Sequence, residues 1–292
     1  MQFPDSVAHL IQYDHELAPH LWLGIGGPAR YFAEPTTRQE LIELVIAANR
    51  LGIQVRVLGG GSNLLARESG VDCLVVSLAA AALGELSIDG DRLRAGGGAK
   101  LSHAVTHAVG AGLAGLEHML GIPGTIGGAL VSNAGARGRD IGSVTEEIEV
   151  LGRDGQVRTI GADEAQFSHR RSNLGDTVIL SATFGLEATD LETLTKRMQK
   201  LWIIRHASPA QGGGRIAVPF VDPDGATAHR LIADIGLAGV REGGVSLNAE
   251  KPGILVASEG ATSDDCLKLI DRVREQVLLQ TGIDLQTNLR IW

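Results

Sequence analysis

The glycines of this chain fall in clusters, and this pattern constrains the fold more than any other feature of the sequence. The chain has 39 glycines in 292 residues, with one cluster at 59–61 and a second within 121–135. Glycine lets the backbone turn tightly and approach a ligand closely. One cluster alone is often a turn, but two in the same chain favour a backbone surface that binds a ligand.

The first cluster follows a predicted strand. Residues 54–58 alternate as a strand does, and the run Gly59-Gly60-Gly61-Ser62-Asn63 comes directly after them. Three glycines allow several N–H groups to converge on one point, and such a nest binds phosphate without a basic side chain. Ser62 and Asn63 add side-chain donors. We interpret this segment as a candidate phosphate loop, with a plain tight turn as the alternative.

The second cluster is longer and matches no common nucleotide motif. It reads GIPGTIGG from Gly121 to Gly128 and continues as NAGA from Asn133 to Ala136. It lacks both the G-x-G-x-x-G of a Rossmann fold and the Gly-Lys-Ser/Thr ending of a P-loop. Pro123 and its neighbouring glycines predict a rigid surface with few side chains, suited to a flat ligand or a pyrophosphate. A buried glycine-rich crossover is the alternative.

The rest of the chain predicts an α/β (α+β) fold in three parts, at residues 1–80, 81–200 and 201–292. The last boundary lies near Leu201, before a loop-rich stretch at 210–225. Apolar spacing predicts helices at 38–50, 101–111, 190–205, 227–235 and 263–279, the last capped by Ser263. Strands are predicted at 54–58, 73–78, 177–186, 253–258 and 284–292, with hairpins over 89–91 and 153–155.

Composition excludes several classes of protein. The net charge of −8 argues against sequence-independent nucleic-acid binding. No run of about 18 apolar residues predicts a membrane span. Cys73 and Cys266 cannot build a disulfide framework, and the N-terminal residues lack a secretory signal pattern. We therefore expect a cytoplasmic protein.

Three motifs, in order and spacing, resemble the UDP-N-acetylenolpyruvoylglucosamine reductase family. They are Ile25-Gly26-Gly27-Pro28-Ala29, LGGGSNLL at 58–65 and GLEHMLGIPGTIGGALVSNAGA at 115–136. The resemblance implies a two-part FAD-binding unit of the vanillyl-alcohol-oxidase type and a smaller C-terminal substrate domain. It also implies FAD as cofactor, NADPH as reductant and an enolpyruvyl UDP-sugar as substrate, in peptidoglycan synthesis.

The same resemblance implies which residues hold the cofactor. Gly59 to Asn63 would wrap the FAD pyrophosphate. The other expected cofactor-binding residues come from the second cluster: Pro123, Gly124, Thr125, Ile126, Gly127, Gly128, Asn133, Ala134, Gly135 and Ala136.

Two of the family's catalytic positions are altered. In the family's Tyr-Arg-x-Ser motif, Arg170 matches the catalytic arginine and His169 replaces the tyrosine. Ser172 matches the serine, and the resemblance implies that it binds the substrate. Val218 occupies the position of the usual Ser or Cys proton donor, in the register that Phe220 fixes. Asn288 occupies the position of the usual glutamate. Valine has no exchangeable proton, and an amide cannot transfer one at ordinary pH.

The third domain departs from the family at a substrate position as well, where Lys251 replaces a histidine. Three hypotheses remain open at this point. In the first, the chain is a reductase slowed by the loss of its acid, with Ser172, His169, Ser208 or water as the proton source. In the second, it is a flavin-binding paralogue that acts as a binding or regulatory module. In the third, it is a flavoenzyme for another substrate.

The sequence predicts no metal site. His103 and His107 have i, i+4 spacing on a predicted helix, but no glutamate completes an H-E-x-x-H motif.

Overall fold

A computed structural model describes residues 3–136, 138–175, 177–206 and 215–292, with the backbone alone for 204–206. Ser208 and the first part of the predicted loop at 210–225 lie outside these ranges. The helices in the described residues are α1 (Asp5–Ala8), α2 (Arg38–Arg50), α3 (Leu101–Gly110), α4 (Ile126–Val131), α5 (Ala162–Ala165), α6 (Leu191–His206), α7 (Ala228–Asp234) and α8 (Ser263–Thr281).

The strands in the described residues form three larger sheets and three strand pairs. Their bounds are β1 (Gln12–Glu16), β2 (Pro28–Ala33), β3 (Val55–Leu58), β4 (Leu64–Leu65), β5 (Val71–Ser77), β6 (Leu86–Asp89), β7 (Arg92–Gly96), β8 (Leu113–Ala114), β9 (Gly135–Ala136), β10 (Arg139–Asp140), β11 (Thr145–Leu151), β12 (Val157–Gly161), β13 (Val178–Gly185), β14 (Glu187–Ala188), β15 (Ile216–Ala217), β16 (Arg241–Glu242), β17 (Val245–Leu247), β18 (Leu255–Ala257) and β19 (Arg290–Ile291).

The larger sheets have the orders β1-β2-β5-β3, β12-β11-β13-β7-β6 and β15-β18-β17-β16. Strands β3 and β5 run parallel, whereas the second and third sheets are antiparallel. The pairs are β9-β10, β8-β14 and the parallel pair β4-β19.

The chain divides into two compact units. The first unit comprises the described residues of 1–13, 31–60 and 72–207. One of its cores lies on the five-stranded sheet, where α3 and α4 contribute Leu101 and Ile126 against Phe184. Another core forms where Leu44 of α2 packs with Leu74 of β5. The apolar spacing of α2 therefore serves to bury one helix face.

The second unit comprises the described residues of 14–30, 61–71 and 208–292. Its core joins all three segments, because Leu23 and Leu65 pack in the same cluster as Ile270 of α8 and Leu255 of β18. The residues assigned to the first predicted part, 1–80, thus contribute to both units. The three-part division itself stays a proposal.

Most predicted elements are present, with boundaries shifted by a few residues. The prediction of Ser263 as the cap of α8 was wrong, because Thr262 is the N-cap and its side chain accepts from Asp265 N. The long C-terminal strand predicted at 284–292 was also wrong, since regular pairing covers only β19. No helix of the described residues is both long and apolar enough to cross a membrane.

Candidate functional site

Two glycines of the first cluster, Gly59 and Gly60, lie against the second cluster within the first unit. A Cβ atom built on Gly60 would lie 2.8 Å from the Cα atom of Gly124, and one built on Gly59 would lie 2.7 Å from Thr125 Oγ1. Side chains at these two positions would push the clusters apart. Two segments that are about sixty residues apart in sequence therefore form one backbone surface.

A third glycine segment, Gly96 to Gly98, supports the second cluster. The N–H of Gly127 donates to the carbonyl of Gly97 at 2.8 Å, and the N–H of Ile126 donates to the carbonyl of Ala99 at 2.9 Å. The sequence analysis missed this segment, although three consecutive glycines after a predicted strand were a usable signal.

The backbone N–H groups of the candidate phosphate loop, Gly59 to Asn63, have no hydrogen-bond acceptor among the described residues. The carbonyl of Gly61, in contrast, accepts from Trp22 N at 3.0 Å. Gly61 has φ +64, and a Cβ atom there would collide with the carbonyl oxygen of His20. Five consecutive uncommitted donors are suited to an anionic group.

The side chain of Asn63 has a different role from the one expected. Its Nδ2 donates to the carbonyl oxygen of Asn288 at 2.7 Å, and its own carbonyl accepts from Arg290 N at 3.0 Å. This amide therefore ties the loop to the C-terminal segment, and the phosphate donors that remain at Asn63 are on its backbone.

The second cluster contains a short helix that its glycines concealed. Thr125 caps α4, since its Oγ1 accepts from Gly128 N at 3.3 Å. Among the described residues, the N–H groups of Gly124 and Thr125 have no acceptor. Pro123 is exposed and Ile126 is buried. The surface thus offers backbone donors and few side chains, as predicted.

Asn133 is buried and connects the second cluster to the arginine motif. Its Nδ2 donates to the carbonyl of Ser168 at 2.8 Å, and its Oδ1 accepts from Gly142 N at 3.0 Å. The following residues, Gly135 and Ala136, pair with Arg139 and Asp140 in β10. Asn133 therefore acts in this unit as a positioning residue for the turn that carries Arg170.

Arg170 lies in a tight turn with an unusual backbone conformation. Ser168 and Arg171 exchange backbone hydrogen bonds of 2.9 and 3.1 Å across His169 and Arg170. Arg170 has φ +58, in the left-handed region that non-glycine residues rarely adopt. Its neighbours His169 and Arg171 are exposed, whereas Arg170 is half-buried. Such strain persists where the surrounding structure enforces it and is often found at functional sites.

The hydroxyl of Ser172 is committed to the backbone. It donates to the carbonyl of Val131 at 2.9 Å and accepts from Leu174 N at 3.3 Å. These bonds join the turn to the end of α4. The sequence analysis considered Ser172 as a substrate-binding residue and as a substitute acid, and the observed bonds favour a structural role instead.

Val218 and Asn288 come from two segments that pair in the second unit. Phe220 forms an antiparallel bridge with Thr287, and the N–H of Asn288 donates to the carbonyl of Pro219 at 3.0 Å. The side chain of Val218 is 50% exposed. The Oδ1 atom of Asn288 is buried without a hydrogen-bond partner among the described residues. This pairing brings together the segments of the two residues for which the motif register predicts catalytic positions.

The remaining candidates differ in their surroundings. Lys251 is half-buried in a turn whose backbone N–H groups at 250 and 251 donate to Asn248 Oδ1, each at 2.9 Å. His103 and His107 are both exposed on α3. Burial raises the pKa of Cys73 to about 11 and that of Cys266 to about 12, so neither thiol is a ready nucleophile.

These observations fit a bound dinucleotide cofactor such as FAD. The clusters meet in a cradle that a Cβ atom would fill at Gly59 and Gly60. Within the first unit, the backbone N–H groups of Gly59, Gly60, Gly124 and Thr125 would face the pyrophosphate. The N–H groups of Gly61 to Asn63, which belong to the second unit, have no acceptor among the described residues either. A cradle of this kind holds phosphates by dipoles and needs no arginine or lysine.

Comparisons with known proteins agree with this fit. The family model "FAD binding domain" matches residues 29–161, and the model "UDP-N-acetylenolpyruvoylglucosamine reductase, C-terminal domain" matches residues 209–292. A UDP-N-acetylenolpyruvoylglucosamine reductase of Rhodopirellula baltica is 55% identical over 99% of this chain and 95% of its own length. One of Lactobacillus delbrueckii subsp. bulgaricus is 35% identical over 96% of this chain and 95% of its own length.

Solved structures give the same result. The UDP-N-acetylenolpyruvylglucosamine reductase of Thermus caldophilus is 31% identical, with a TM-score of 0.83 over 97% of this chain and 98% of that chain. A solvent-stable cholesterol oxidase is similar in fold alone, with 20% identity and a TM-score of 0.51 over 64% of this chain and 40% of its own. The predicted FAD-binding fold with an added C-terminal domain is confirmed.

Proposed function

Because this chain belongs to the UDP-N-acetylenolpyruvoylglucosamine reductase family, we propose that it reduces the enolpyruvyl group of UDP-N-acetylglucosamine enolpyruvate to give UDP-N-acetylmuramate. The observation that carries the proposal is a family relationship that spans both the FAD-binding and the C-terminal domain. The reaction belongs to peptidoglycan synthesis, and we place it in the cytoplasm.

The cofactor half of the reaction rests on the two glycine clusters. FAD bound there would supply the redox chemistry that carries hydride from NADPH to the substrate. Gly59 to Asn63 hold the pyrophosphate through their N–H groups. The residues from Pro123 to Gly128 keep side chains away from the cofactor, and Asn133 holds the adjoining turn in place through Ser168.

Arg170 has the central role on the substrate side. The planar guanidinium holds a carboxylate or enolate with two parallel hydrogen bonds, which stabilises the negative charge that develops during reduction. Its half-buried position strengthens that interaction relative to one in open water. Lys251 contributes a second positive charge for the anionic UDP-sugar.

We further propose that proton transfer is the slow half of this reaction. Val218 carries no proton, and the carboxamide of Asn288 donates hydrogen bonds without releasing one. Ser172 is an unsuitable substitute because its hydroxyl donates to Val131 O. The remaining proton sources are water, the exposed His169 and Ser208, which lies outside the described residues. General acid catalysis contributes about 10²- to 10⁴-fold, so turnover persists at a reduced rate.

The second candidate is a flavin-binding paralogue that no longer reduces this UDP-sugar. The observation that favours it is the coincidence of three altered positions, Val218, Asn288 and Lys251, in the C-terminal substrate domain. In that case NADPH still reduces the bound flavin, but the reduced flavin does not reduce the enolpyruvyl UDP-sugar.

A two-step anaerobic experiment separates these proposals. The purified flavoprotein is mixed first with NADPH and then with the enolpyruvyl UDP-sugar, and flavin absorbance is followed in both steps. A reductase bleaches with NADPH and regains its colour with the substrate, slowly if the proton half is limiting. Bleaching without substrate-dependent reoxidation identifies the paralogue, and failure to bind FAD contradicts both proposals.

Restoring the missing acid tests the slow proton half. We expect Val218→Ser to raise the rate of flavin reoxidation by the substrate modestly. Asn288→Glu should raise that rate further when it is combined with Val218→Ser. The double variant should gain more than the two single gains added in free energy, because such residues act as a unit. Leu289→Met, a conservative change next to Asn288, serves as the control. Rapid wild-type reoxidation that Val218→Ser leaves unchanged would contradict a limiting proton step.

A further inference from the structure

Two histidine side chains of the second unit point their Nε2 atoms at each other. His15 lies in β1, and His20 ends the short 3₁₀ helix Ala18–His20. Their Nε2 atoms are 2.9 Å apart, their ring centroids are 5.1 Å apart, and the ring planes make an angle of 43°. Both side chains are half-buried. In a neutral pair, one nitrogen donates its proton to the lone pair of the other.

The backbone between the two histidines is fixed. Leu17 is fully buried, and its N–H donates to the carbonyl of Gly27 at 3.3 Å. The N–H of His20 donates to the carbonyl of Leu17 at 2.9 Å, and Pro19 restricts the intervening helix. The two rings are therefore held close together by the fold, which lowers the ordering cost of binding a shared ligand.

From this convergence we infer that His15 and His20 form a binding site for a divalent transition-metal ion. Zinc binds imidazole nitrogen at about 2.0–2.1 Å, so two nitrogens at a tetrahedral angle lie about 3.4 Å apart. The present separation of 2.9 Å needs to widen by only about 0.5 Å, which small ring rotations provide. The ion takes the place of the proton between the two Nε2 atoms, and that proton moves to Nδ1 of its own ring, so both ligands stay neutral imidazoles.

The chemistry of the donors selects the ion. Neutral imidazole suits zinc, copper and nickel, whereas magnesium and calcium prefer oxygen ligands. Two protein ligands leave positions for water, so the ion is exchangeable, unlike one in a closed four-ligand structural site. We expect copper to bind more tightly than zinc, following the usual order of divalent affinities.

The site lies beside the candidate phosphate loop. The carbonyl of His20 is the group against which Gly61 packs, and Trp22, two residues later, donates to the carbonyl of Gly61. An ion held by His15 and His20 therefore braces the segment that positions Gly61. The sequence alone does not reveal the pair, because a strand residue and a 3₁₀-helix residue five positions apart match no ligand motif.

Thermal unfolding of the FAD-loaded full chain, with and without Zn²⁺, tests the site. A ligand at about 100 times its Kd should raise Tm by several degrees, and the shift should saturate. Magnesium at the same concentration should have no effect. We expect His15→Ala or His20→Asn to weaken zinc binding at least about tenfold, since even changes behind a metal ligand have effects of that size.

The exposed pair His103 and His107 provides the matched control. The double variant His103→Ala/His107→Ala should keep the full zinc-dependent shift. Each shift is measured against the same variant's metal-free Tm, so an effect of the substitution on folding cancels. If His15→Ala fails to fold, electron paramagnetic resonance of Cu²⁺ bound to the His103→Ala/His107→Ala protein still tests the site. We expect its spectrum to show coupling to two imidazole nitrogens. A zinc-dependent Tm shift that survives His15→Ala but disappears in the control would overturn the inference. So would a copper spectrum that shows one coupled nitrogen or none, or zinc binding that does not saturate.

Discussion

At the scale of single residues, Gly60 is a position where a substitution would disturb the contact between the two glycine clusters. A methyl group at this position would lie 2.8 Å from the Cα atom of Gly124, which is backbone and cannot rotate away. We predict that Gly60→Ala separates the two clusters and weakens FAD binding about tenfold or more, since overpacking typically costs about 1–3 kcal/mol.

The comparison for Gly60→Ala is Gly161→Ala. Nothing lies within 4 Å of a Cβ atom at Gly161, and its φ is −80. Flavin affinity can be measured for both variants by reconstituting the apoprotein and following fluorescence quenching. Equal affinities would mean that the contact between the clusters does not shape the FAD site.

Arg170 allows charge and backbone conformation to be tested separately. We predict that Arg170→Ala and Arg170→Gly both lower substrate-dependent flavin reoxidation about 100-fold, because both remove the cation. Arg170→Gly should be about 1 kcal/mol more stable than Arg170→Ala, since glycine accepts the left-handed φ of +58. Stability is measured by urea unfolding and reoxidation by stopped flow.

Arg171→Ala is the internal control for Arg170. Arg171 is exposed and has an ordinary backbone conformation in the same turn. Its removal should leave reoxidation nearly unchanged. Similar small losses at both arginines would show that the motif register assigned to Arg170 is incorrect.

At the scale of elements, one carboxylate joins α2 to the five-stranded sheet. Glu149 of β11 accepts from Arg38 at 2.6 and 3.0 Å, from Arg94 at 2.8 Å and from Ser181 at 2.9 Å. The hydrogen bonds from Arg38 are the main reason that the pKa of Glu149 lies below its usual value of 4.5. This carboxylate is therefore more stable as an anion in the folded chain.

This shift gives a stability prediction with a definite sign. A carboxyl whose pKa is lowered by folding stabilises the fold above its unfolded pKa, and that contribution is lost as the pH falls through the lowered value. We predict that Glu149→Gln costs about 1–2 kcal/mol at pH 7 and progressively less as the pH falls below the usual carboxyl pKa of 4.5. Glu147→Gln is the control, because Glu147 is exposed and makes no side-chain hydrogen bond or ion pair among the described residues. A cost for Glu149→Gln that does not depend on pH would contradict the role of the charge.

The elements also show how far sequence reasoning extends. Apolar spacing located α2, whose bounds were predicted to the residue, and the structure adds a capping box formed by Thr37 and Glu40. The helix α4 was missed because two of its six residues are glycine, and it forms through the Thr125 cap and burial of Ile126 and Leu130. The C-terminal strand was predicted too long, because Gln286 and Asn288 pair with the irregular segment at Val221 and Pro219 instead of continuing β19.

The candidate site was predictable in its components but not in its contacts. A glycine cluster after a strand predicted the loop Gly59 to Asn63, and motif register predicted Arg170, Val218 and Asn288; the roles of these residues stay predictions. Local sequence carries no information on the approach of Gly60 to Gly124, or on Asn63 bonding to Asn288, because each contact joins residues far apart in the chain. The hydrogen bond from Ser172 to the carbonyl of Val131 could not be predicted either, because the sequence of a motif does not show which partner a serine hydroxyl binds.

At the scale of the whole molecule, the C-terminal family match does not coincide with a self-contained unit. The core of the second unit includes Leu23, Ile25 and Leu65, which lie outside residues 209–292. Glu68, also outside, accepts from the backbone N–H and the hydroxyl of Ser263 at the start of α8. A fragment of 209–292 would therefore lose three core side chains and the β4–β19 pair. It would also lose the Glu68 carboxylate that accepts hydrogen bonds at the start of α8.

We predict that the isolated fragment 209–292 does not unfold cooperatively. Burial of three Leu or Ile side chains contributes about 4–9 kcal/mol, which is comparable to the whole stability of a small domain. Circular dichroism melting and amide hydrogen exchange measure this directly, and coexpression with residues 1–206 should restore a cooperative transition if the missing segments are the cause. In the intact chain, Leu65→Ala should cost about 2–5 kcal/mol, since it opens a cavity in the same core. A sharp melting transition and slow exchange in the isolated fragment would show that the C-terminal residues suffice for their own core, and that the segments at 14–30 and 61–71 are attached to it without stabilising it.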